Sequence, residues 1–395
     1  MAPVEIKKGI YWVGVVDWNM RSFHGHTFST KRGTTYNAYL IVDEKIALID
    51  TVYGPFAGEL IENIRAIVPP EKIDCIIANH VETDHSGAMP EIMKLCPKAR
   101  VYGTRKCKEG LYKNYYGNWD FQEVKSRDTL KLGKRTLEFI EAPMIHWPDS
   151  MFTYCRDEEL LMPNDAFGQH LATNERFDDE TDQCVLMEEA AKYYANILIP
   201  FGDIILRKID EVMKMNVPIS MIAPSHGIIW RKDPRRIIKS YISWAGNETK
   251  KKVVIVYETM WGSTEKMARR IAQGLTDSGM EVKVFDIAAT DRTEAVKEML
   301  DAKGYLIGSS THDNDMLPSV TAFLSFIKGL KPKKRVAAAF GSYGWGSGAV
   351  ASIEKELKAA GIEVVQEPVS VKYVPDENEN KKCYEFGVEF AKKCV

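Results

Sequence analysis

The chain has 395 residues, 45% hydrophobic and 27% charged, with a formal net charge of −2. That balance gives no basic surface for nucleic acid, and no apolar run reaches the ~18 residues of a membrane span. The length favours two domains over one core, and the opening "MAPVEIKKGIYW" has no signal-peptide core, so a cytoplasmic protein is expected.

Residues 1–248 read as short strands joined by turns. "GIYWVGVVDW" and "TTYNAYLIVDEKIALIDT" are strand-like, the second a pair turning around Asp43–Glu44. "LKLGKRTLEFIEAP" and "MFTYCRDEELLMPND" read as further hairpins, and helices are expected at 55–67, 87–95 and 183–213. This mixture predicts an αββα sandwich, two sheets with helices outside. The rhythm changes after "GNETKKK" (246–252), where Lys250–Lys252 reads as a solvated boundary. From 253 to 395, "VVIVY", "EVKVFDI", "GYLIGSS", "RVAAAFGS" and "IEVVQEPVS" are strand-like. Amphipathic helices are expected near 264–278, 291–302, 319–330 and 347–360, and a last one closes the chain. Alternating β and α units predict a doubly wound parallel sheet of order 2-1-3-4-5. The run Lys331, Lys333, Lys334, Arg335 reads as a solvated turn at the sheet end opposite any ligand. Of the seven cysteines no two are spaced C-x-x-C, which excludes rubredoxin-like iron and thioredoxin chemistry; they are expected to be reduced.

"NHVETDHSG" (79–87) crowds His80, Glu82, Asp84 and His85 into one loop that leaves a buried strand and enters a helix. A loop can turn several side chains toward one point, which the alternation of a strand prevents. Four donors are too many for one ion in so short a loop, so two metals are expected. His146 in "APMIHWPDS", Asp165 in "LLMPNDAFG" and His226 in "IAPSHG" each follow a strand-like run and complete the candidate set. His24, His26 and Tyr193 are candidates for the pocket around it, although packing is the expected role of Tyr193. His170 in "FGQH" reads as structural.

In the second half, "VVIVYETMWGSTEKMA" is strand, loop and helix. Thr259, Met260, Trp261, Gly262, Ser263 and Thr264 form a hydroxyl- and amide-rich nest at a helix N-terminus, suited to a phosphate without any lysine. The nest resembles the flavodoxin phosphate loop, T-x-T-G-x-T, which implies FMN. The crevice of such a sheet lies at the carboxyl ends of the first and third strands. Ser310, Thr311, His312 and Asn314 would meet one edge of the flavin ring, and Ser342, Tyr343, Gly344, Trp345 and Gly346 the other. Gly344–Ala349 also fits the dinucleotide pattern G-x-G-x-x-A, but it follows the fourth strand of its domain and lacks a clear acidic partner, so NAD is not expected.

Together these residues carry a resemblance. The first half looks like the metallo-β-lactamase fold, whose usual loop is H-x-H-x-D-H and holds two zincs; here Glu82 stands at the second His. That replacement, followed by a flavodoxin-like half, resembles the flavodiiron proteins, which reduce oxygen, nitric oxide or both. The resemblance implies one iron on His80, Glu82 and His146, a second on Asp84, His85 and His226, and Asp165 bridging. It also implies a head-to-tail homodimer or a dimer of dimers, with Trp345 bordering the partner's iron pocket. Electrons would then come from an external donor, rubredoxin or reduced F420. The three carboxylates supply −3 against +4 for two ferrous ions, and a mixed imidazole–carboxylate set suits iron or manganese better than an imidazole-rich one does. Two rival readings stay open: a dizinc hydrolase fused to a flavodoxin-like domain, and an electron carrier on a metal-free scaffold.

Overall fold

The computed structural model describes residues 2–394. The chain divides into two compact units: the residues up to Tyr193 with Asp203–Ile242, and Tyr194–Gly202 with the residues from Ser243 onward.

The first unit is built on two facing sheets. The seven-stranded one runs Val4–Lys7, Ile10–Trp12, Tyr39–Val42, Ile46–Ile49, Ile73–Ile77, Arg100–Gly103, Phe121–Glu123 in spatial order. It is antiparallel up to Ile46–Ile49 and parallel beyond, where helices such as Ala57–Arg65 and Arg105–Tyr115 make the crossovers. The five-stranded one runs Thr129–Lys131, Thr136–Glu141, Met151–Cys155, Leu160–Met162, Met221–Ile222. Trp12, Tyr39, Ile49 and Ile77 from one sheet meet Phe139, Met151 and Met162 from the other in a single buried core. Burial on that inner face is what holds the sheets together, so strands such as Ile46–Ile49 read as continuous apolar runs.

The second unit has the order Glu281–Asp286, Lys250–Glu258, Ala302–His312, Val336–Tyr343, Glu363–Val364, all parallel, which is the expected 2-1-3-4-5. The fifth run is in two pieces. Pro368 cannot donate to the ladder, and Val369–Lys372 resumes pairing with Val336–Tyr343 after it.

Five expectations differ from what is observed. Lys252, expected in a solvated boundary, is buried near the start of the strand Lys250–Glu258. The helix expected over 183–213 is broken: Gln183–Tyr193 runs into a π turn at Tyr194–Leu198 and a 3-10 turn at Ile199–Phe201 before Gly202–Lys214 begins. Pro200 removes a backbone donor there, and the wide turn absorbs the defect. This segment, expected within 1–248, clusters instead with the second unit, where the Asn196 amide donates to the Thr293 carbonyl at 3.2 Å. The run "GIYWVGVVDW" is two strands: Ile10–Trp12 joins the large sheet while Val15–Asp17 pairs with Thr34–Tyr36. Arg335 is not solvated; it is buried, and its guanidinium donates to the carbonyls of Leu300 at 2.7 Å and Lys333 at 2.8 Å.

Candidate metal centre and flavin cavity

The strands Ile73–Ile77, Thr136–Glu141, Leu160–Met162 and Met221–Ile222 are each followed by a loop that carries candidate ligands. The last three run in the same direction in one sheet, so their loops leave from one edge. Two donor sets form there: His80, Glu82, His146 and Asp165, and Asp84, His85 and His226. Within each set the ligand atoms lie within 4.8 Å of one another.

The distances have the dimensions of coordination shells. Nε2 of His80 and of His146 lie 3.3 and 3.4 Å from Glu82 Oε2, and Nε2 of His85 and of His226 lie 3.1 and 3.0 Å from Asp84 Oδ2. Two donors ~2.1 Å from one ion sit about 3.0 Å apart at a right angle and about 3.4 Å apart at the tetrahedral angle. Asp165 faces both sets, with Oδ2 3.3 Å from His146 Nε2 and Oδ1 3.0 Å from His85 Nε2. Despite this crowding, both oxygens of Asp84, both nitrogens of His85 and Oδ2 of Asp165 are buried without a hydrogen-bond partner. Buried charges left that way are costly unless an ion completes them, so the side chains fit a pair of metals. The outer nitrogens agree. His226 Nδ1 donates to the Thr35 carbonyl at 2.6 Å, which leaves the Nε2 lone pair facing the cluster.

Among protein atoms alone, burial lowers the proton affinity of these imidazoles and the carboxylates reverse it. His85 is pushed up to about 9 by Asp84 and Asp165. Hydrogen bonds to Asp149 and Glu82 hold His80 well above its ordinary value. Asp165 stands well below the usual carboxylate range, because His85 and His146 outweigh its burial.

The neighbours sort by what they touch. His24 Nε2 lies 3.0 Å from the outer oxygen of Glu82, Oε1. With Glu82 and Asp84 it lines an open cavity of 310 Å³ that also includes Tyr36 and Tyr53. His26 is exposed and does not line that cavity. His170 is buried, shares a hydrogen bond with Thr34 Oγ1 at 2.8 Å and joins neither donor set. Its ring and that of Tyr193 pack on His226, at centroid distances of 4.8 and 6.3 Å.

Sequence reasoning missed a layer of supporting acids and amides. Buried Asp50 accepts from Asn79 N at 2.7 Å, Asn79 Nδ2 at 2.9 Å and Asn164 Nδ2 at 3.1 Å. It thereby ties the residue before His80 to the residue before Asp165. Asp149 backs His80 directly, Oδ2 to Nδ1 at 3.0 Å. An acid at each strand end ("LIDT", "HWPDS") was the available signal, and it is weak without knowing which ends converge.

In the second unit, Gly262 at φ 83° caps the helix Ser263–Asp277, a conformation that costs other residues dearly. Gly262 N donates to Thr259 Oγ1 at 3.1 Å, and Met260 N to Ser310 Oγ at 3.3 Å. Thr264, Ser310 and Ser342 bring three hydroxyls from three loops together, with Thr264 Oγ1 3.0 and 2.9 Å from the other two. A cavity of 380 Å³ is lined by Thr311, Asp313, Asn314, Gly344, Trp345 and Gly346. Asp313 was not expected; His312 and Tyr343 were, and do not line it. His312 is exposed, with Nδ1 3.3 Å from Asp313 Oδ2. Trp261 and Trp345 are 90% and 96% exposed, so two indoles stand bare on loops of this unit, free to stack on a planar aromatic ligand.

Known proteins place the chain. The ODP family beta lactamase family matches residues 34–227 and the flavodoxin family residues 255–387. A protein named nitric oxide reductase from Moorella thermoacetica is 55% identical, over 98% of both chains. The rubredoxin oxygen:oxidoreductase structure from Desulfovibrio gigas superposes with a TM-score of 0.97 at 37% identity, over 99% of this chain and 98% of that one. The flavodiiron protein of Giardia intestinalis does so with a TM-score of 0.96 at 36% identity, over 100% and 97%. With a metallo-β-lactamase-like unit followed by a flavodoxin-like one, and relatives matched end to end, the chain belongs to the flavodiiron proteins.

Proposed function

We propose that this chain reduces nitric oxide to nitrous oxide, dioxygen to water, or both. His80, Glu82 and His146 would hold one iron, Asp84, His85 and His226 the other, with Asp165 between them, and the loops around Thr259–Thr264, Ser310–Asn314 and Ser342–Gly346 would hold FMN. The observation that carries this reading is the pair of donor sets, alike in composition, that share Asp165 while the oxygens of Asp84, the nitrogens of His85 and Oδ2 of Asp165 are buried without hydrogen bonds. The names of the Moorella and Desulfovibrio relatives support the substrates.

When bound, the iron pair and the flavin would supply two electrons each, enough for 2 NO + 2 e⁻ + 2 H⁺ → N₂O + H₂O or, together, O₂ + 4 e⁻ + 4 H⁺ → 2 H₂O. The chain's own residues do the positioning. Glu82 and Asp84 form a wall of the 310 Å³ cavity, which puts the centre at the end of a solvent-open entrance while the remaining ligands stay buried. His24 steadies the outer oxygen of Glu82 and keeps Oε2 turned inward. Phe23, His170 and Tyr193 pack on the ring of His226 and exclude water behind it.

A separate electron donor fits a sequence in which no pair of cysteines has rubredoxin spacing. The name of the Desulfovibrio relative favours a rubredoxin over reduced F420. Exposed Trp345 on the flavin loops, and exposed Tyr53 and Trp147 on the metal-bearing unit, support a head-to-tail homodimer or a dimer of such dimers, one copy's flavin meeting another's metals. The unpaired, mostly buried cysteines fit the reducing cytoplasm, and among the described residues no helix is long and apolar enough to cross a membrane.

Stopped-flow mixing of the reduced, iron-loaded protein with each gas tests the reading. Reoxidation by nitric oxide or dioxygen that is lost in Asp165→Ala supports it. Equal rates in wild type and Asp165→Ala with both gases would overturn it.

A further inference from the structure

The two donor sets match one for one: two imidazoles, one carboxylate and one oxygen of Asp165 each. Beyond the Glu82–Asp84 difference, the sets differ in what stands behind the ligands. Behind the second set no carboxylate is hydrogen-bonded to an imidazole, although the buried carboxylate of Asp50 acts on His85 through space. His226 Nδ1 meets the Thr35 carbonyl at 2.6 Å, and His85 Nδ1 is buried without a hydrogen-bond partner. Behind the first set His80 Nδ1 lies 3.0 Å from the carboxylate of Asp149, which is only 2% exposed.

Asp149 is itself held in place. The same oxygen that faces His80 accepts from Val81 N at 2.8 Å, and its backbone carbonyl accepts from Thr104 Oγ1 at 3.0 Å. Its side chain is aimed at Nδ1 of His80, the ring nitrogen turned away from the other donors. A carboxylate there fixes the tautomer and pushes electron density onto the imidazole, making Nε2 a stronger donor than one backed by a carbonyl. His24, the other group behind this set, stands at the rim near Glu82 Oε1, partly exposed and screened by solvent.

Resting on the metal assignment proposed above, we infer that Asp149 is a positioning residue that makes the two metals of this centre unequal, holding the one on His80 at a lower reduction potential than its bare ligand set would give. The asymmetry gives the pair a defined order of reduction, the metal on Asp84, His85 and His226 first.

The test is Asp149→Asn in the full-length, iron-loaded protein. Asparagine keeps an oxygen to accept from His80 and Val81 but removes the charge. The readouts are the Mössbauer spectrum of the fully ferrous protein and a redox titration of the irons, neither of which depends on turnover. One of two ferrous doublets should move and one of the two midpoint potentials should rise, with the other doublet and potential left in place. Wild-type doublets and potentials in the variant would overturn the inference. If Asp149→Asn does not retain two irons, Asp149→Glu decides: wild-type potentials support the role, and loss of iron from both variants makes Asp149 structural and overturns it. A wild-type protein that binds no iron pair would fail the metal assignment itself, before any variant is compared.

Discussion

The metal-bearing unit and the flavin unit solve opposite problems. In the first, the imidazole and carboxylate donors are drawn to one point, all but Glu82 buried, and several have no partner within the chain. In the second, the crevice is made of loop backbone, small hydroxyls and a bare indole. One site is carried by side-chain identity on a rigid sandwich; the other is carried by backbone shape. The difference predicts that each can be destroyed without the other.

The largest expected effect is at the shared ligand. Asp165→Ala should lose both irons, because both donor sets depend on its two oxygens, while the protein stays yellow; iron and flavin content of one sample measure this. A full iron complement in that variant would show the sharing to be misassigned. The mirror experiment is Gly348→Ala, where an added Cβ would lie 1.9 Å from the Asn314 carbonyl oxygen and push one cavity loop out of place. FMN affinity should fall by at least about tenfold, equivalent to ~1.4 kcal/mol. Iron content should stay unchanged.

These two positions show why the sequence was unequally legible. His80, Glu82, Asp84, His85, His146, Asp165 and His226 could be picked out because few folding demands place such residues at strand ends beside Pro and Gly. The 2-1-3-4-5 sheet was legible from alternating β and α runs. Asp50 and Asp149 were not, since their roles exist only once distant strand ends meet. The break near Pro200 was hidden because the amphipathic pattern continues on both sides of it. Asp313 on the cavity wall was missed, because side-chain direction in a loop has no period to read.

A subtler change should alter which metal binds. Glu82→His restores the imidazole-rich loop of the zinc-binding relatives of this fold, so the variant should take up a larger share of zinc than wild type when both metals are offered. An unchanged iron-to-zinc ratio would mean that Glu82 does not set the preference.

The smallest effect contrasts the buried charges of the two units. Lys252 in the flavin unit is buried but satisfied, donating to Glu298 Oε2 at 2.6 Å and Asp301 Oδ1 at 2.9 Å. Lys252 on Glu298, and Lys250 together with Lys252 on Asp301, outweigh their burial and hold both carboxyls below their ordinary values. Depressed carboxyls contribute stability that is present above their unfolded values and lost as pH falls through the folded ones. Thermal melts between about pH 5 and 3 should thus fall less steeply in Lys252→Met than in wild type. An equal slope would mean that the pairing is too solvent-screened to matter.

Metal and flavin analysis of the purified protein tests the central claim most directly. The account predicts two irons and one FMN per chain. Two zincs, or a flavin with no metal beside it, would contradict it.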